Sequence, residues 1–154
     1  MILSIAKSAD LPVAPAEAWA VVRDPVRVAG CVAAIELFEP GPKPGRFGAL
    51  LVERLGPFSV RVPLTIEVTE DPAARVMVAT VAGEDRAGQA RVRGEVRASV
   101  REAAGAGTRL EVSSEVEVLG RLASLGAVPI RRRGDQVFEA FIAALRRLLV
   151  DGDG

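Results

Sequence analysis

From Gln89 to Arg101 every odd position is polar (Gln89, Arg91, Arg93, Glu95, Arg97, Ser99, Arg101) and every even one is apolar or small (Ala90, Val92, Gly94, Val96, Ala98, Val100). After a Gly-rich turn the alternation resumes with the same parity. Arg109, Glu111, Ser113, Glu115 and Glu117 then face away from Leu110, Val112, Ser114, Val116 and Val118. Period-two alternation predicts two strands, each with one wet and one buried face. Residues 58–69 read the same way, with Phe58, Val60, Val62, Leu64, Ile66 and Val68 on one face and Arg61, Thr65, Glu67 and Thr69 on the other. Pro63 falls on the polar face and marks an edge or a bulge. Weaker alternation places further strands at residues 2–11, 34–38, 47–54 and 75–82, separated by Pro- and Gly-rich turns.

Helical spacing appears in three places. Ala18, Trp19 and Val22 predict a helix over residues 16–23. Asp24-Pro25 predicts a second, short one reaching Cys31, with Asp24 as N-cap and Pro25 at the first helical position. Val137, Phe138, Phe141, Ala144, Leu145 and Leu148 form an apolar stripe at spacings of three and four in a long C-terminal segment. Pro129 and Gly134 predict a break in that segment near residues 128–131. The order is thus strand, helix, helix, six strands, long helix. Short connections between the strands predict an α+β domain with a seven-stranded antiparallel meander. On its outer face Arg91, Arg93 and Arg97 are expected opposite Glu117, Glu115 and Glu111; an offset of two residues would set Glu95 against Glu115. A half-wet sheet needs a cover for its other face, and the C-terminal helix is the candidate.

Composition narrows what that interior can do. The chain has 154 residues, one domain's length, taken as residues 1–150 with a polar tail at 151–154. It is 49% hydrophobic but has only five Phe and one Trp, so Val, Leu, Ile and Ala must build the core. Twenty basic side chains balance twenty acidic ones, which argues against nucleic acid as a partner. There is no His, Tyr or Asn, so Ser-His and Cys-His nucleophile pairs are excluded, and with a single Cys no zinc or iron–sulfur site is expected. No phosphate-binding glycine loop occurs. Glu53, Glu67, Glu95, Glu111 and Glu115 are expected mostly on outward positions, and no carboxylate pair is spaced for acid–base work. No catalytic residue, metal or cofactor is therefore expected. No signal peptide or membrane span is read, and a reducing, cytoplasmic setting is expected.

Four pieces of the chain resemble the family of the carbon monoxide dehydrogenase G subunit, within the START-like, polyketide-cyclase-like (SRPBCC) superfamily. They are Ala18-Trp19 leading into Asp24-Pro25; Cys31 to Leu37; Leu55-Gly56-Pro57; and Gly88-Gln89-Ala90 through Gly94, Gly107-Thr108 and Gly120-Arg121-Leu122-Ala123-Ser124-Leu125-Gly126. Their order and spacing carry the likeness. The chain departs from the family at Ala33-Ala34, where Pro-Gly is frequent. The resemblance implies the helix-grip fold, a curved antiparallel sheet around the C-terminal helix, which in such folds encloses an apolar cavity for lipids, sterols, polyketides or quinones. It also implies association with molybdenum-containing CO dehydrogenases, in docking the enzyme at a membrane or in moving quinone.

The candidate cavity wall is Phe58, Val60, Val62, Leu64, Val92, Val96, Val112, Val116, Phe138, Phe141 and Leu145. The residues alone favour a filled core here; with the resemblance, a partly open cavity is the expectation, because small inward residues (Ala90, Gly94, Ala98, Ser114) leave space. Arg131, Arg132 and Arg133 are the one charge run. Such runs are usually a solvated helical face; the functional alternative is contact with anionic lipid or an acidic partner at the inner face of a membrane. Cys31 and Trp19 are expected as buried packing residues. Three functions stay open: non-catalytic carriage of a quinone or lipid as an accessory of a molybdenum CO dehydrogenase-like system, a cyclase- or hydratase-type enzyme on the same fold, and a docking protein with a closed core.

Overall fold

The computed structural model describes residues 1–151; the last three positions of the expected polar tail lie outside the described residues. The chain runs β1 (Ile2–Leu11), α1 (Pro15–Val22), α2 (Pro25–Gly30), β2 (Ile35–Pro40), β3 (Arg46–Leu55), β4 (Phe58–Asp71), β5 (Val76–Glu84), β6 (Arg91–Glu102), β7 (Thr108–Leu119) and α3 (Ala127–Asp151). All seven strands form one antiparallel sheet in the order β1-β7-β6-β5-β4-β3-β2. β2 to β7 follow as a meander, and β1 pairs with β7 along its whole length, from Ile2↔Glu117 to Leu11↔Thr108. The helices cover one face, so this is the helix-grip arrangement.

Local chemistry accounts for the element ends. Asp24 Oδ1 accepts hydrogen bonds from the N–H groups of Val26 (3.1 Å) and Arg27 (3.4 Å), and Pro25 opens α2 where no N–H is needed. Gly45 closes the β2–β3 loop at φ +79°, and a Cβ there would stand 2.9 Å from the Val68 carbonyl oxygen, so only glycine lets the loop lie on β4. Pro63 stands where the β4–β5 ladder ends at Leu64↔Gly83, a place that tolerates a missing N–H.

Two expectations are corrected. The break before the last helix is at Gly126 (φ +83°), after a 3₁₀ turn over Arg121–Leu125, and not at Pro129. α3 starts at Ala127, so Pro129 sits in its first turn, where the N–H groups have no intrahelical acceptor and proline costs nothing. On the outer face the register is Arg93↔Glu117, Glu95↔Glu115 and Arg97↔Ser113, two residues off the expected charge pairing. A shift of two residues leaves the same side chains on the inner face, so the turn sets the register: the Ala103 N–H donates to the Gly107 carbonyl at 3.0 Å across a loop with Gly105 (φ +77°) and Ala106 (φ +67°) left-handed, and exposed ion pairs worth about 0.2–1 kcal/mol do not move it.

The interior is two packed cores rather than one. The first joins Leu11, Ala18, Trp19, Val22, Val100, Leu110, Ile142 and Leu145, where α1 and the C-terminal half of α3 meet the β6–β7 hairpin. Thr108 is buried in the same region, and its hydroxyl donates to the Val13 carbonyl at 2.7 Å. The second joins Leu3, Ala49, Val60, Val62, Leu64, Ile66, Val118 and Leu122 at the other end of the sheet.

Candidate functional site

The register lays out the concave face in rows. Val68, Ala79 and Val96 stand side by side across β4, β5 and β6; Met77, Ala98 and Val112 form the next row, across β5, β6 and β7. The alanines are short, so these rows do not reach the helices. α2 roofs the gap with Pro25, Val28, Ala29 and Val32, β2 closes one side with Ile35 and Phe38, and Phe141 of α3 stands at the other. The result is a cavity of about 270 Å³ lined by nineteen residues, all with apolar side chains. Hollows of about 320 and 340 Å³ on the outer sheet face are larger, but Glu95, Arg97, Arg101, Glu111 and serines line them beside Ile5 and Ala6, so their walls are mixed where those of the cavity are wholly apolar.

Of the eleven wall residues expected from the sequence, Leu64, Val96, Val112 and Phe141 line this cavity. Val60 and Val62 are buried in the second core, with Phe58, Val92 and Val116 packed against it. Leu145 is fully buried in the first core, and Phe138 packs beside Phe141 at a centroid distance of 6.4 Å. The alternation identified the inward face correctly but not where along each strand the packing opens. The roof from α2 and β2 was missed, because Val28, Val32, Ile35 and Phe38 belong to segments too short to show a period. Met77, Ala79 and Val81 of β5 do alternate with outward positions, and that signal could have placed them.

Charged residues occur on the concave face outside the cavity. Glu53 lies in the inward row Leu51–Glu53–Leu55 of β3, opposite Val60, which corrects its expected outward position. Its side chain is only 13% exposed and pairs with Arg133 Nη2 at 2.8 Å. Lys7, inward on β1, pairs with Asp135 at 3.0 Å. These two pairs grip α3 from opposite sides of the sheet, and Gly134 between them lets the helix sit close: a Cβ there would lie 3.1 Å from Ile5 Cδ1. The arginine run is therefore divided. Arg131 and Arg132 are exposed, whereas Arg133 turns to the sheet. Cys31 is buried at the end of α2; burial raises its thiol pKa, and Arg147 opposes the rise. Among the described residues no group of three or more Cys, Asp or Glu gathers as a metal site, and no helix is long and apolar enough to cross a membrane.

The sequence pattern of CoxG, the G subunit of carbon monoxide dehydrogenase, matches residues 8–150. The chain belongs to the CoxG family. No curated protein matches it in sequence. Solved structures share the architecture of this CoxG family member at low identity. A conserved protein from Geobacillus kaustophilus superposes with a TM-score of 0.85 at 20% identity, over 97% of this chain and 96% of its own. A START superfamily protein from Mycobacterium smegmatis gives 0.71 at 14% identity, over 96% and 97%. Norcoclaurine synthase from Thalictrum flavum, solved as a point mutant with a transition-state analogue, gives 0.67 at 13% identity, over 100% and 98%. These likenesses establish the START helix-grip fold for this CoxG protein.

Proposed function

We propose that this protein binds an apolar small molecule, a quinone or lipid, in the cavity beneath α2, and carries it without catalysis as an accessory of a molybdenum CO dehydrogenase-like system. The observation that supports this most is the lining: nineteen residues surround about 270 Å³ without one hydrogen-bonding side chain. Such a site selects by shape and apolarity and gains affinity from water released off its walls. Family membership supports the accessory role. The enzyme reading draws on norcoclaurine synthase, a fold relative solved in complex with dopamine and hydroxybenzaldehyde. Here the cavity wall itself carries no titratable side chain, and the inward charges Glu53 and Lys7 are engaged by α3 outside it. The closed-core reading is disfavoured by the open volume itself. Arg131 and Arg132 suit contact with an anionic membrane surface at its inner face.

Native mass spectrometry of the protein purified without detergent tests the central claim. A bound quinone or lipid is expected, released on unfolding. A chain that carries nothing and fails to take up diphenylhexatriene, a purely apolar fluorophore, would sink it.

A further inference from the structure

The apolar cavity ends at a matched pair of charges. On β4 the inward row runs Val62, Leu64, Ile66, Val68 and then turns polar at Glu70, opposite Met77. The end of α1 makes the same change in one step: Val22 lines the cavity, and Arg23 does not. The two charges meet, with Arg23 Nη2 donating to Glu70 Oε1 at 2.7 Å. They stand in a second hollow of about 260 Å³, which adjoins the cavity across Pro25, Val68 and Met77, three residues that line both. A guanidinium has five N–H donors, and among the described residues the bond to Glu70 is the one hydrogen bond this side chain makes. Both side chains keep water access, at 47% and 31% exposure, so a ligand can reach them.

We infer that the molecule held in the cavity is amphipathic: its hydrocarbon part fills the apolar cavity, and its polar end, bearing an acceptor oxygen of a carboxylate or carbonyl, lies in the adjoining hollow against Arg23. Glu70 positions the guanidinium. This rests on the cavity reading above and adds the ligand class and a specificity-determining residue. A fully apolar lining cannot satisfy a polar end, so any such group must sit outside it, and a buried unpaired polar group is disfavoured. Of the side chains lining that hollow, Arg23 and Thr69 carry donors, and Arg23 is the cation.

Three probes separate the possibilities: cis-parinaric acid, its methyl ester, which keeps a carbonyl without charge, and diphenylhexatriene, which has no polar atom. Trp19, the only tryptophan, has the Arg23 guanidinium 6.0 Å above its ring and serves as energy donor. Arg23→Gln is expected to weaken the acid by about three-fold to ten-fold while changing diphenylhexatriene by less than about two-fold. Arg23→Lys should recover part of the loss. A loss confined to the acid supports carboxylate recognition, and a loss shared with the ester supports carbonyl recognition. Equal effects on all three probes, or none on any, overturn the inference. If diphenylhexatriene binds and Ala79→Leu expels it while Arg23→Gln leaves the acid unchanged, the polar-end inference fails alone; if no probe binds the unaltered protein, the cavity reading fails with it.

Discussion

Ala79 offers the sharpest test of whether the concave face holds usable space. It lies on β5 between Val68 and Val96, in a row that borders the cavity. Ala79→Leu adds three carbon atoms to that wall. If the space is open, they take apolar area out of water at about 0.8 kcal/mol each when fully buried. Fixing the leucine rotamer costs about 0.5–1 kcal/mol. Because the cavity opens to solvent, only part of that burial is realised, and the net is a stabilisation of about 1 kcal/mol. With a urea slope of about 2 kcal/mol/M, the unfolding midpoint should rise by about 0.5 M with the slope unchanged. In a filled core the same change overpacks, and a loss of about 1–3 kcal/mol is expected. The two readings thus differ in sign. Equilibrium urea denaturation followed by Trp19 fluorescence reads it, and diphenylhexatriene titration of the same variant should show lost uptake. A destabilised variant that still binds the fluorophore would refute both the location of the space and its role.

Other consequences follow from the polar contacts. Arg133→Met should cost about 2 kcal/mol because it strands Glu53, only 13% exposed, whereas Glu53→Met should cost about 1 kcal/mol or less because Arg133, 43% exposed, can turn to water; equal losses in thermal or urea unfolding would contradict this asymmetry. Asp24→Ala removes the cap of α2 and should lower stability by about 1 kcal/mol and weaken probe binding as well, since α2 roofs the cavity; a variant that loses stability but binds probe unchanged would detach the roof from the site. Cys31 has a thiol pKa raised by burial, so the folded state holds that proton longer than the unfolded chain. Its contribution to stability is full below the ordinary thiol value near 9.0 and is lost as pH rises through the higher folded value. Urea midpoints between pH 8 and 10.5 should fall more for this chain than for Cys31→Ala, and parallel curves would count against it.

The strands and helices were legible in the sequence because their cause is local. Alternation over residues 89–101 and 109–118 imposes an extended backbone with one apolar face, and Asp24-Pro25 caps a helix by its own side chain and ring. The helix-grip order followed from those elements and their short connections. Of the four expected wall residues that line the cavity, Leu64, Val96 and Val112 were legible because parity is a property of the strand alone, and Phe141 because helical spacing is a property of α3 alone. What tertiary structure decided is everything that depends on what lies opposite. The register of β6 against β7 answered to the turn over residues 103–107 and overrode the outer charges. Glu53 faces inward because β3 pairs Leu51 with Val62 and Leu55 with Phe58, which no reading of β3's own pattern reveals, and Arg133 leaves its charge run to meet it. Whether Ala79 and Ala98 are filled over or left as open space depends on how far α2 and Phe141 stand from the sheet. That distance is set by packing in the two flanking cores, where Leu145 and Val62 are fully buried and to which Val22, Leu64, Ile66, Met77 and Leu110 of the cavity wall also belong.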